Sequence, residues 1–290
     1  MEPPAATAVP APEGWNRLTG DRSFLAELFV ALNLAFLALD VYVAHSTNGC
    51  CEPPESIPIA FSLVGALALL ANLAVSRPLR AAGSSHRSGA GRWVGLAVGA
   101  AAVIVGTTGL ILHLESNFFQ ALTLRSLVYS APFVAPLAFT GLGLLLLANR
   151  LVPPDSAAWG RWVLLLAWGG FVGNFVLSLV DHAQNGFFYP VEWIPVAVAA
   201  LTVGWLLLPL LRRTPRAYLK GALGILALAA ATGVVGFVLH VAPSLTDTRA
   251  TLADRIIYGA PVFAPLLFPN LAILAALAVW DLLAKEWVDG

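Results

Sequence analysis

Charged side chains are scarce in this sequence: 11% of residues, against 59% hydrophobic ones and a mean hydropathy of +0.81. So little polar surface excludes a water-soluble fold. There is no Gly-rich phosphate loop, no nucleophile elbow and no basic patch, so neither a nucleotide-cradling site nor a nucleic-acid partner is expected. Cysteine is limited to two adjacent residues, Cys50 and Cys51, with no further cysteine at metal-binding spacing. They are read either as a strained disulfide in an oxidising compartment or as two thiols. The middles of the apolar runs hold Asn33, Asn174, Asn270, Thr107, Thr108 and Thr232 but no carboxylate or base. That lack argues against ion-coupled transport, which places ionisable groups at mid-membrane.

What is abundant is apolar sequence in runs of about 20 residues, each long enough for a hydrocarbon core of about 30 Å. Eight are read: 24–45, 57–76, 93–114, 127–149, 160–182, 193–211, 218–241 and 256–282. The expected fold is therefore an all-α polytopic membrane protein with eight transmembrane helices. The segment before Phe24 has no basic region leading into an apolar run, so the first helix itself is expected to direct insertion.

Basic residues set the orientation. With the N-terminus inside, the inner segments hold Arg17, Arg22, Arg77, Arg80, Arg87, Arg92, Arg150, Arg161, Arg212, Arg213, Arg216, Lys220 and Lys285. The outer loops hold only Arg125, Arg249 and Arg255. Both termini are expected in the cytoplasm. Arg-over-Lys usage with abundant Ala, Leu and Gly suits a GC-rich bacterium and hence a bacterial inner membrane.

The chain also repeats itself. His45-Ser-Thr-Asn48-Gly49, running on to Pro53, Glu55 and Pro58, is matched by His182-Ala-Gln-Asn185-Gly186, Pro190, Glu192 and Pro195 at a constant offset of 137. Gly106-Thr-Thr-Gly109-Leu-Ile-Leu-His113 is answered by Gly233-Val-Val-Gly236-Phe-Val-Leu-His240. Tyr129-Ser-Ala-Pro132-Phe-Val-Ala-Pro136 is answered by Tyr258-Gly-Ala-Pro261-Val-Phe-Ala-Pro265. Each copy holds four spans, an even number, so two parallel four-helix repeats related by a pseudo-twofold axis along the membrane normal are expected. The boundaries follow: tail 1–21, repeat 22–150, connector 151–157, repeat 158–284 and tail 285–290.

Four of the five histidines fall in these copies and end odd spans, which places them in one layer at the outer face. The fifth, His86, lies in an Arg-, Ser- and Gly-rich inner loop and reads as solvated. Gly106 and Gly109 share a helix face with His113, as Gly233 and Gly236 do with His240. Such a face admits a porphyrin beside an axial imidazole, or simply a closely packed neighbouring helix. Haem or a transition metal (iron, copper or zinc) is the expected cofactor. His45, His113, His182 and His240 are its candidate ligands, with Glu55 and Glu192 as added metal ligands. The two glutamates equally suit helix N-terminal capping, ahead of a proline in the first turn. Arg125 and Arg255 are candidates for a haem propionate, or interfacial anchors beside Tyr129 and Tyr258. Asp40, Asp181 and Glu115 are candidates for orienting an imidazole.

Ala-Pro-x-x-Ala-Pro in the last span of each copy predicts a kinked helix whose released carbonyls need partners away from lipid. In outline the plan resembles haem A synthase. The local motifs differ: no Glu-x-x-His lies on a second span, and the histidines end odd spans rather than lying on even ones. The likeness is one of architecture alone. Three function classes follow: a haem or metal protein with electron-transfer or oxidoreductase chemistry, a parallel-repeat transporter of a small solute, and a non-catalytic subunit packed against other membrane subunits.

Overall fold

The computed structural model describes residues 21–50, 52–81, 89–248 and 250–285, with side chains described to residue 76 in the second stretch. Cys51, His86, Arg17, Arg77, Arg80, Arg87 and Arg249 lie outside the described residues or side chains. Regular structure among the described residues is helical: α1 (Arg22–Ser46), α2 (Pro53–Ala81), α3 (Ala90–Glu115), short α4 (Phe118–Ala121) and α5 (Leu124–Val128), α6 (Leu137–Leu151), α7 (Ala157–Gln184), α8 (Trp193–Leu211), α9 (Arg216–Thr246), short α10 (Leu252–Ile257) and α11 (Leu267–Lys285). Single 3-10 turns lie at Pro190–Glu192 and Ala264–Leu266.

Among the described residues, seven helices are long and apolar enough to cross a membrane: α1, α2, α3, α7, α8, α9 and α11, the 3-10 turns that precede α8 and α11 included. The chain is thus a multi-pass membrane protein whose apolar helix faces meet lipid. Local chemistry sets the ends. Asp21 caps α1 by accepting from the Phe24 amide at 3.0 Å, and Thr123 and Ser126 form a reciprocal capping box on α5.

The expected run 127–149 is not one helix. Its chain turns at Tyr129–Pro136, and α6 begins only after Pro136, giving 15 residues, roughly 22 Å of rise. The run 256–282 breaks in the same place, between α10 and the 3-10 turn at Pro265. A proline lacks the N–H donor and its ring meets the carbonyl four residues back. Two prolines in successive turns therefore stop the helix where a single one would bend it.

Packing follows chain order. α1 lies on α2, α2 on α3, α3 on α6, and α6 returns to α1; α7 lies on α8, α8 on α9, α9 on α11, and α11 returns to α7. The two groups meet through α6 with α7 and α1 with α11. Crosswise, α5 touches α7 and α10 touches α1. The shared core is built mainly from these central helices: Val30 and Leu34 of α1, Leu145 and Leu146 of α6, Trp159 and Phe171 of α7, Ala275 and Val279 of α11.

Candidate functional site

Both Asn-Gly turns adopt one backbone. Gly49 and Cys50 have φ of 74° and 48°, and Gly186 and Phe187 have 68° and 50°. The amides of Asn48 and Cys50 each donate to the His45 carbonyl at 3.1 Å, while those of Asn185 and Phe187 donate to the His182 carbonyl at 3.2 and 3.0 Å. Left-handed residues after the helix let these amides satisfy carbonyls that the last turn leaves open. Asn48 and Asn185 precede the glycines that tolerate such φ values, so the turn is encoded locally.

The side chains diverge. In the second turn the Phe187 ring stacks on Trp193, with centroids 3.8 Å apart and planes 9° apart, and lies 6.1 Å from His182. In the first turn that position is Cys50, and His45 faces His113 with ring centroids 6.2 Å apart at 40°. His45 Nδ1 is buried without a hydrogen-bond partner. Buried polar atoms nearly always have one.

His113 and His240 are held alike. Nδ1 of His113 donates to the Pro132 carbonyl at 2.9 Å, and Nδ1 of His240 donates to the Pro261 carbonyl at 2.9 Å. These carbonyls lie in the segments where the prolines break the helix, so the imidazoles supply partners that the helical ladder does not. A carbonyl only accepts, so in neutral imidazole the proton sits on Nδ1 and Nε2 keeps its lone pair. His182 is similar, donating from Nδ1 to the Ser178 carbonyl of its own helix at 2.7 Å. A metal-binding imidazole is commonly oriented in this manner.

The glycine faces receive prolines. A Cβ on Gly106 would lie 2.7 Å from the Pro136 carbonyl oxygen and 2.4 Å from Thr140 Oγ1, and one on Gly109 would lie 2.8 Å from Pro136 Cβ. A Cβ on Gly233 would lie 2.5 Å from the Pro265 carbonyl oxygen, and one on Gly236 3.1 Å from Pro265 Cβ. The space beneath each histidine is thus filled by its own neighbouring helix, the close packing that small residues permit in membranes. The Gly-x-x-Gly-x-x-x-His and Ala-Pro-x-x-Ala-Pro motifs form one joint: glycines seat the second proline, and histidine answers the carbonyl of the first.

The other candidates separate. Glu55 turns back on its own helix and accepts from the Glu52 amide at 3.3 Å, the capping role. Glu192 Oε2 is buried without a partner, as is Arg255 Nη1, while Arg255 Nε donates to the Thr251 carbonyl at 3.3 Å. Arg125 and Glu115 are exposed, and Asp40 and Asp181 are half-buried. Among the described residues no three His, Cys, Asp or Glu side chains gather as a metal-binding group. Asn270 Nδ2, in the first turn of α11, donates to Asn33 Oδ1 at 2.5 Å and so ties α11 to α1. Asn174 is buried, with its Nδ2 unsatisfied.

Sequence reading missed a charged cluster at the opposite end of the bundle. Glu27 of α1 and Arg150 of α6 are completely buried and pair at 2.5 Å, and Asn72 of α2 donates to the same Glu27 oxygen at 2.9 Å. Gly95 of α3 leaves room for the guanidinium, since a Cβ there would lie 2.2 Å from Arg150 Nε. All four helices of the first group meet at this ion pair. Nearby, buried Asp281 of α11 binds Arg22 at 2.6 Å and Lys285 at 2.8 Å. Lys285 also donates to the Pro154 and Ser156 carbonyls, closing the connector onto α11. A lone carboxylate in an apolar run was the only signal for Glu27.

No family model, no curated protein sequence and no solved structure matches this chain.

Proposed function

We propose that this is a cell-membrane protein of two same-oriented four-helix units whose first unit binds a transition-metal ion between His45 and His113 at the outer face. The units are α1, α2, α3 and α6, then α7, α8, α9 and α11, with α6 as the eighth span, completed by the proline-rich turn before it. Their recurring packing order and crosswise contacts support a twofold relation along the membrane normal. The distribution of Arg and Lys supports cytoplasmic termini, which puts the histidine ends of the odd helices outside.

One observation carries the metal reading: the unpartnered, buried His45 nitrogen stands in a ring pair with His113, 6.2 Å between centroids. An ion about 2 Å from one nitrogen of each ring would hold the ring centres roughly 5 to 6 Å apart. The Pro132 carbonyl already orients His113 and leaves its Nε2 for a ligand. Because Pro136 fills the glycine face, a small ion suits the pair better than a porphyrin plane. Two protein ligands leave coordination positions open to solvent, to an electron-transfer partner or to a side chain from another subunit. Such a site suits iron or copper in electron transfer at the outer surface. Metal analysis and visible spectroscopy of the purified protein test it: one ion per chain, lost on removing either histidine, is the expected result.

A second reading has its own support. The His113–Pro132 and His240–Pro261 bonds match in length and give the repeated histidines a purely architectural task. On that reading the chain is a non-catalytic subunit of a membrane complex, and no metal accompanies it.

A further inference from the structure

At the end of the bundle opposite the histidines, α8 and α9 are joined by Arg212-Arg213-Thr214-Pro215, and Lys220 lies one turn into α9. Arg212, Arg213, Arg216 and Lys220 are all exposed. No Asp or Glu occurs in the sequence between Glu192 and Asp247, so neither helix places a carboxylate beside Arg212, Arg213 and Lys220. The joint is fixed from beneath. The Tyr218 ring stacks on Trp205 at 4.9 Å and 18°, and its hydroxyl donates to the Trp205 carbonyl at 2.9 Å. Gly221 lets the indole lie against α9, since a Cβ there would stand 3.0 Å from its ring. Leu211, 73% exposed, adjoins Arg212 directly. Cationic side chains thus stand at the edge of an apolar helix end.

We infer that the α8–α9 joint is a binding surface for the headgroup of an anionic phospholipid, with Arg212, Arg213 and Lys220 contacting the phosphate. Charge complementarity selects the occupant. A basic cluster directly flanking a membrane helix is drawn to anionic lipid, by about fivefold in affinity for each Lys or Arg near the surface. Guanidinium groups bind phosphate oxygens in a bidentate fork, which favours the arginines as direct contacts. The inference rests on the apolar helices and is independent of the histidine pair.

Tryptophan quenching by brominated lipids tests it in the full-length protein reconstituted in phosphatidylcholine bilayers. The chain's nine tryptophans, with Trp205 beneath the joint, supply the signal. Brominated phosphatidylglycerol should associate at least about fivefold more strongly than brominated phosphatidylcholine. A variant with Arg212→Gln, Arg213→Gln and Lys220→Gln should bring that ratio close to one, while Arg212→Lys with Arg213→Lys keeps most of it. A wild-type ratio near one, or a Gln variant that keeps the preference, overturns the inference. Displacement of the lipid by millimolar inorganic phosphate also overturns it, because the surface would then be a small-anion site.

Discussion

The turns after His45 and His182 share their φ signs, their hydrogen bonds and their Asn-Gly pair, yet they present opposite environments to their histidines. After His182, Phe187 occupies the left-handed position and stacks on Trp193, so an aromatic face covers the imidazole. After His45 the same position is Cys50, the residue aligned with Trp193 is Ser56, and the imidazole meets His113 instead. The far end of the bundle shows a parallel contrast. At the repeat offsets, the buried pair Glu27 and Arg150 is matched by Leu164 and Val279, both completely buried as well. Matched sequence positions thus carry polar filling in one half and apolar filling in the other at two levels. The backbone plan is set by turns, glycines and prolines, and the chemistry by a few substitutions upon it.

The largest effect expected from breaking this comparison is at the ion pair. Arg150→Ala or Glu27→Ala should each destabilise the protein by about 3–5 kcal/mol, because each removes one partner of a buried ion pair. The double variant Glu27→Leu, Arg150→Val copies the second unit and should recover most of that loss. Unfolding midpoints in detergent or bilayer solution measure both; a double variant as unstable as the singles would mean that the units differ in shape as well as in charge.

Next come the proline seats, where the units should behave alike. Gly106→Ala forces a methyl group against the Thr140 amide and hydroxyl and the Pro136 carbonyl, Gly233→Ala forces one against the Pro265 carbonyl and the Pro269 ring, and each should cost about 1–3 kcal/mol by overpacking. A large effect in one unit with none in the other would contradict their equivalence.

The smallest stability effect is expected at the second turn. Phe187→Cys removes a stacked pair and should cost about 0.5–1.5 kcal/mol beyond the buried area lost. Its converse, Cys50→Phe with Ser56→Trp, transplants the stack onto His45 and should eliminate metal binding while the unfolding midpoint holds. Metal retained in that variant would mean that the aromatic cover does not distinguish the two turns.

Much of the scaffold was legible in the sequence because membrane helices announce themselves by length and apolarity. Seven long apolar helices stand where runs of apolar residues lie. The break at Tyr129–Pro136 was less legible, since hydropathy averages over the prolines that end the helix. The Glu27–Arg150 contact was not legible as a pair. Its members lie far apart in sequence, and neither carries a local pattern that names its partner. For the histidines, sequence placed Gly106, Gly109 and His113 on one face but left open what would fill it; folding puts Pro136 and the Pro132 carbonyl there. The contrast between Cys50 and Phe187 was visible as a mismatch between copies. Its consequence needed the rings themselves.

We propose that one histidine pair binds metal and that the matching histidines of the other half do not. His113→Ala and His240→Ala are matched variants, since each removes an equivalent bond to a proline carbonyl and should cost similar stability. Metal content per chain should therefore be compared, by elemental analysis with visible spectra, in wild type, His45→Ala, His113→Ala, His182→Ala and His240→Ala proteins of verified fold. The wild type should hold one iron or copper ion, which should be lost in the His45 and His113 variants and retained in the His182 and His240 variants. Equal loss in all four, or no bound metal in a wild-type protein purified without chelators, would contradict the proposal.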